Sequence, residues 1–211
     1  LDRSSAASDV YKRQAQPDLV ISGQRFLDRD NEIKELVPDA AVVELEPRED
    51  KSMDEELVRQ ITTLGEIFDK KDEAEKMVQD FNDAKDRAKK AYDKLDGDKK
   101  VMAVNVSGGE IGYVAPHIGR VWGPVFDWLG MEPALEVDNA SSNHEGDDIS
   151  VEAIADAKPD WMLVLDRDGA INADQPDYSP AADVIKRSDA LQGVPALKED
   201  RVIVALSLIH I

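Results

Sequence analysis

The sequence predicts an α/β fold in which two lobes are joined by a single long helix, and three observations lead there. Short β-branched runs alternate with amphipathic helical stretches, the pattern of parallel-sheet architectures. One helical pattern runs unbroken from residue 72 to residue 95, a rod on the order of 36 Å at roughly 1.5 Å per residue. Two closely similar segments lie on either side of that rod, Ala15-Gln16-Pro17-Asp18-Leu19-Val20-Ile21-Ser22 and Ala157-Lys158-Pro159-Asp160-Trp161-Met162-Leu163-Val164.

The two ends differ from the rest. Residues 1–14, closing on Asp9-Val10-Tyr11-Lys12-Arg13-Gln14, and residues 206–211, Leu206-Ser207-Leu208-Ile209-His210-Ile211, resemble translated sequencing-adapter read-through, which is no part of a native fold. On that expectation the native gene continues in both directions. The remainder divides into a partial, truncated N-terminal lobe (15–71), a bridging helix (72–97) and an incomplete C-terminal lobe (98–205).

Strands are expected at residues 18–22, 41–45, 100–106, 111–114, 161–165 and 201–205, each a short apolar run bounded by polar or turn residues. Between the second and third lies a helical region with two starts. Ser52 followed by Glu55 and Asp72 followed by Glu75 both have the spacing of a capping box. In the second helix Ala74, Met77, Val78, Phe81, Ala84, Ala88, Ala91, Tyr92 and Leu95 form one apolar face, and Gly97 marks its end. A rod of that length is suited to bridging two lobes.

In each half of the repeat, Pro-Asp ends a helix and launches a buried strand. Arg25 lies seven residues after Asp18, and Arg167 seven after Asp160. Both are thereby expected just past the ends of equivalent strands. Ligands of open α/β sheets bind outside the carboxyl ends of the strands, so two such lobes would each present a guanidinium to a shared cleft.

The formal charge of −19 disfavours nucleic acid and anionic membranes as partners. No apolar run approaches the roughly 18 to 20 residues of a membrane-spanning helix. There is no cysteine, which fits an oxidising compartment as well as the cytosol. As an enzyme the chain has little to show: Ser107-Gly108-Gly109 is followed by another extended run instead of a helix, so it makes no phosphate cradle. A Gly-x-Ser-x-Gly elbow is also missing. The remaining metal-dependent enzyme reading would draw a divalent site from His144 with Asp147 and Asp148, acids that in a loop ordinarily face water.

From residue 15 to about residue 205 the chain resembles the ferric-siderophore, catecholate-type branch of the solute-binding proteins of bacterial ABC importers, the class III periplasmic binding proteins. Pro17-Asp18-Leu19-Val20-Ile21-Ser22-Gly23 followed by Gln24-Arg25 is similar to the family's first-lobe ligand loop, although the family places arginine directly after the glycine and here Gln24 intervenes. Pro116-His117-Ile118-Gly119-Arg120, followed by Val125-Phe126-Asp127-Trp128-Leu129-Gly130, resembles the segment whose arginine precedes a helix ending in Leu-Gly. Asp166-Arg167 resembles the third ligand arginine, and His144 falls where some members carry a histidine that binds iron directly. Ser150-Val151-Glu152 is similar to the lobe-surface motif whose glutamate docks on the permease.

The resemblance implies two Rossmann-like lobes bridged by one helix, a monomer with no intrinsic cofactor and no catalysis. It implies a ferric siderophore as ligand, an ABC permease as partner, and a home in the periplasm or on the cell surface as a lipoprotein. Haem and cobalamin are carried by relatives of the same architecture. The implied ligand residues are Arg25, Arg120 and Arg167, with His144 as a possible iron ligand, and Trp122, next but one to Arg120, as an aromatic contact. Ferric catecholates are anionic, and planar guanidinium groups make fork-like charge-assisted bonds to such oxygens without losing their charge. Hard ferric iron prefers oxygen, so an imidazole only completes an unsaturated coordination sphere.

Overall fold

The computed structural model describes residues 15–48, 50–97, 99–119, 121–138, 149–169 and 172–206. The chain divides into two compact units, residues 1–78 and 79–211. The division falls inside the long helix.

In the first unit β1 (Leu19–Ser22) and β2 (Ala41–Glu44) pair in parallel, Leu19 opposite Ala41 and Ser22 opposite Glu44. Between them come a 3₁₀ turn (Gln24–Arg29) and α1 (Asp30–Leu36), whose Ile33 is buried along with Val37 and Leu45. Helix α2 (Met53–Ile67) starts after Ser52, with Asp54, Glu55 and Glu56 in its first turn, where the helix dipole favours acids. Ser52 makes no side-chain cap bond, so the expected reciprocal box does not form; the buried acid is Glu56, one residue further on.

α2 closes in a Schellman motif. The Lys70 amide donates to the Gly65 carbonyl at 2.7 Å and the Asp69 amide to Glu66 at 3.4 Å, with Asp69 left-handed at φ 54°. Helix α3 (Lys71–Asp93) follows at once, and the Lys70 carbonyl accepts the Ala74 amide at 3.0 Å. The second start is therefore two residues earlier than the cap pattern placed it, with Lys70 and not Asp72 before the first helical residue. Asp72 is inside the first turn, because the preceding turn already launches the helix. A Cβ on Gly65 would stand 2.4 Å from the Ala74 Cβ, so this junction requires glycine.

At 23 residues, or about 35 Å, α3 has the expected length. Its apolar face is less buried than its periodicity suggests. Ala74 is buried and Val78, Phe81 and Tyr92 are half-buried, whereas Met77, Ala84, Ala88 and Ala91 are exposed. The covered stripe is narrower than the hydrophobic one.

In the second unit β3 (Lys100–Ser107), β6 (Trp161–Asp166) and β7 (Val202–Leu206) are parallel, and β4 (Glu110–Tyr113) returns antiparallel to β3. The order is β4-β3-β6-β7, with a two-residue β5 (Glu132–Pro133) also paired to β3. Successive β3 residues face opposite sides, and both sides are covered. Met102, Val104 and Val106 pack with Met162, Val164, Ile154, Ile185 and Leu191, while Val101 and Ala103 pack with Val114, Phe126 and Leu163. Helices α4 (Gly123–Leu129), α5 (Val151–Asp156), α6 (Ala181–Arg187) and α7 (Pro195–Lys198) supply that cover together with a 3₁₀ turn at Asp189–Gly193. Gly130 ends α4 in the left-handed conformation, φ 63°.

The two repeat segments match where they begin. Gln16 and Lys158, at matching positions, are both left-handed, φ 41° and 48°, and each precedes Pro-Asp and a parallel strand. The match ends before the arginines. β1 stops at Ser22, which aligns with Val164, whereas β6 continues two residues to Asp166. Arg25 consequently lies within a 3₁₀ turn, and only Arg167 directly follows its strand.

Candidate ligand-binding site

Ligands of open α/β sheets bind beyond the carboxyl ends of the parallel strands. β6 ends on Asp166, which is 3% exposed. A buried carboxylate must be met by donors. Its Oδ1 accepts the Gly169 amide at 2.8 Å, and its Oδ2 accepts the Tyr178 hydroxyl at 2.8 Å and the Ala181 amide at 3.0 Å. The bond to Asp166, reinforced by burial, pushes the Tyr178 phenol up to about 12.

Arg167 comes next, half-buried, its amide donating to the Val106 carbonyl at 3.1 Å. Among the described residues its guanidinium has no carboxylate partner at ion-pair distance, and it remains a cation at the carboxyl end of the sheet. Asp168 turns to the neighbouring hairpin. Its carboxylate accepts the Ser107 hydroxyl at 3.3 Å and the Gly108 amide. Gly108 and Gly109 are both left-handed, φ 59° and 80°, as a tight β3–β4 hairpin turn demands. The glycine pair that superficially suggested an anion loop is thus a hairpin turn.

In the first unit the buried Ser22 hydroxyl donates to Asp30, and Gly23 continues extended. A Cβ on Gly23 would come within 3.2 Å of a Glu46 carboxylate oxygen. The Arg25 backbone belongs to the 3₁₀ turn, and its side chain lies outside the described residues.

Sequence reasoning missed a charged cluster just after β2. Glu56, 0% exposed, accepts from Arg48 Nε at 2.8 Å, the Arg48 amide at 3.1 Å and Arg59 Nε at 2.8 Å. Arg59 also donates to the Glu46 carbonyl at 2.6 Å, and Gln60 to the Leu45 carbonyl at 2.7 Å. One face of α2 thereby holds the loop after β2. The Arg48 bonds, opposed by burial and assisted by Arg59, hold the Glu56 carboxyl down at about 2. Glu56 raises the Arg48 guanidinium in turn. The available signal was an acid three and four residues ahead of Arg59 and Gln60 on one helix face.

The segment around Arg120 is tightly wound. His117 and Val121 are left-handed, φ 70° and 67°, and for a β-branched residue that is a rare conformation. His117 Nδ1 lies 2.7 Å from Asp127 Oδ1, and the His117 amide donates to the Gly123 carbonyl at 3.0 Å. A Cβ on Gly119 would lie 2.6 Å from the Ala115 carbonyl oxygen. Arg120 itself lies outside the described residues, as do His144, Asp147 and Asp148. Trp122 packs against the cluster around Phe126, and its indole N–H is buried without a partner among the described residues. Glu152 is exposed in the first turn of α5, whose cap is genuine: Ser150 Oγ accepts the Ala153 amide at 3.2 Å. Among the described residues no group of three or more metal-ligating side chains comes together.

A family model described as periplasmic binding protein matches residues 13–207. The chain belongs to the periplasmic binding protein family, a family of binding proteins. The petrobactin-binding protein YclQ of Bacillus subtilis (strain 168) is 27% identical over 187 residues, 89% of this chain and 54% of YclQ. The ferric-anguibactin-binding protein FatB of Vibrio anguillarum is 30% identical over 152 residues, 72% of this chain and 45% of FatB. The chain spans about half the length of these curated relatives. The crystal structure of YclQ matches with a TM-score of 0.74 at 26% identity, over 94% of this chain and 63% of that one. The periplasmic catecholate-siderophore binding protein VctP of Vibrio cholerae matches with a TM-score of 0.74 at 22% identity, over 92% of this chain and 65% of that one, a likeness of fold alone.

Proposed function

We propose that this chain belongs to a protein that captures a ferric siderophore outside the cytoplasmic membrane and delivers it to the permease of an ABC importer, without catalysis. The observation that carries the reading is Arg167, a cation without an ion-pair partner among the described residues, held directly after a central parallel strand in a periplasmic binding protein. Relatives named for binding petrobactin and ferric anguibactin supply the ligand class. Arg25 and Arg120 are the companion cations, His144 completes an unsaturated iron sphere, and Trp122 borders the site. Residues 72–97 bridge the two lobes, and Glu152 meets the permease.

A local positive cleft reconciles an acidic protein with an anionic ligand, since the field at the site and not the net charge governs docking. The test is a tryptophan-fluorescence titration of a protein completed to its relatives' length against ferric catecholate, ferric hydroxamate, haem and cobalamin. Tight binding of the ferric catecholate alone is expected. Preference for haem or cobalamin would overturn the siderophore reading and leave the fold untouched.

A further inference from the structure

We infer that Asp168 is a positioning residue for Arg167, fixing the direction in which its guanidinium is presented; this rests on the reading of Arg167 as a ligand group. Arginine recognises oxyanions through a planar fork, so its direction matters as well as its charge. The backbone around it is anchored on both sides. Before it stands Asp166, buried and bonded to Gly169, Tyr178 and Ala181. After it stands Asp168, which reaches 61 residues back along the chain to Ser107 and also takes the Gly108 amide. Between them the Arg167 amide is tied to Val106. Asp168 therefore locks the loop after β6 to the β3–β4 hairpin turn, which the β3–β6 ladder alone does not reach.

Charge alone argues against an acid here. A carboxylate one residue from an anion-binding arginine opposes the ligand by Coulomb repulsion. If Asp168 acted only through its charge, removing it would tighten binding. If it acts by aiming Arg167, removing it weakens binding despite the Coulomb gain. The two roles thus have opposite signs.

The experiment measures quenching by the ferric complex of 2,3-dihydroxybenzoate in the protein completed to its relatives' length, for Asp168→Ala, Asp168→Asn, Arg167→Ala and the Asp168→Ala/Arg167→Ala double variant. Asp168→Ala is expected to weaken binding about tenfold, and the double variant to bind no worse than Arg167→Ala alone. Asp168→Asn, which keeps one acceptor oxygen, should recover part of the loss. Tighter or unchanged binding by Asp168→Ala overturns the inference, as does an equal loss with and without Arg167. If Arg167→Ala binds like the parent, the ligand reading of Arg167 fails and takes this inference with it. A second measurement, on the 211-residue chain, needs no ligand. Hydrogen exchange at the Arg167 amide should accelerate in Asp168→Ala while Met162 and Val164 keep their rates; an unchanged Arg167 rate overturns the positioning role.

Discussion

The Tyr178 hydroxyl donates to Asp166 Oδ2 at 2.8 Å, closing the segment after β6 back onto the buried end of that strand. Tyr178→Phe removes one donor from a buried carboxylate and is expected to destabilise the second unit by about 1.5 kcal/mol, read as a lower midpoint in urea. The phenol's folded pKa is raised to about 12 from 10.0, so its contribution is complete below pH 10 and is lost as pH rises towards 12. The gap between parent and variant should close across that window.

Glu56 gives the opposite sign. Its folded pKa is lowered to about 2 from 4.5, so its contribution to the first unit is complete above pH 4.5 and is lost as pH falls towards 2. Glu56→Gln should destabilise the first unit at neutral pH and flatten its stability through that acid window, measured by denaturant titration at a series of pH values. Identical pH profiles for parent and variant would contradict the pairing of the buried Glu56 with Arg48 and Arg59.

Gly65→Ala sets helix propensity against packing. Alanine gains about 1 kcal/mol within a helix, but its Cβ would meet the Ala74 Cβ at 2.4 Å. Overpacking of this kind costs about 1 to 3 kcal/mol. A net loss of stability is expected on thermal unfolding, and its reversal in the Gly65→Ala/Ala74→Gly double variant would identify the contact as the cause.

Glu152 is exposed beside a cap that Ser150 supplies, so its carboxylate is not needed to start α5. In a protein completed to its relatives' length, Glu152→Arg should abolish siderophore-dependent iron uptake and leave ligand affinity unchanged. Normal uptake would remove Glu152 from the permease contact.

Much of the fold was legible because its signals are local. β-branched runs bounded by Pro-Asp and glycine located every strand among the described residues except β5, whose two residues, Glu132 and Pro133, carry no strand pattern. The repeat was real at Gln16 and Lys158, yet it could not reveal that β1 stops two residues short of its counterpart. What stayed hidden is tertiary. Nothing in the residue identities marks His117 and Val121 as left-handed, and Glu56 reads as one more first-turn acid until Arg48 folds over it. Of the candidate site, the position of Arg167 directly after a strand was legible, but the anchoring of Asp166 and Asp168 depends on Tyr178 and on a hairpin distant in sequence.

The most direct test of the central claim is a mutant cycle over Arg25, Arg120 and Arg167, titrated with ferric catecholate in the completed protein. On the proposal that these three arginines grip one anion, each would make charge-assisted bonds worth about 1.5 to 3 kcal/mol, so each alanine variant should lose about tenfold to a hundredfold in affinity. Because the ligand's charge is shared, double variants should depart from additivity, and lysine replacements, which keep the charge without the fork, should recover only part of the loss. Three alanine variants that bind as the parent does, or losses that are small and strictly independent, would contradict siderophore capture by this chain.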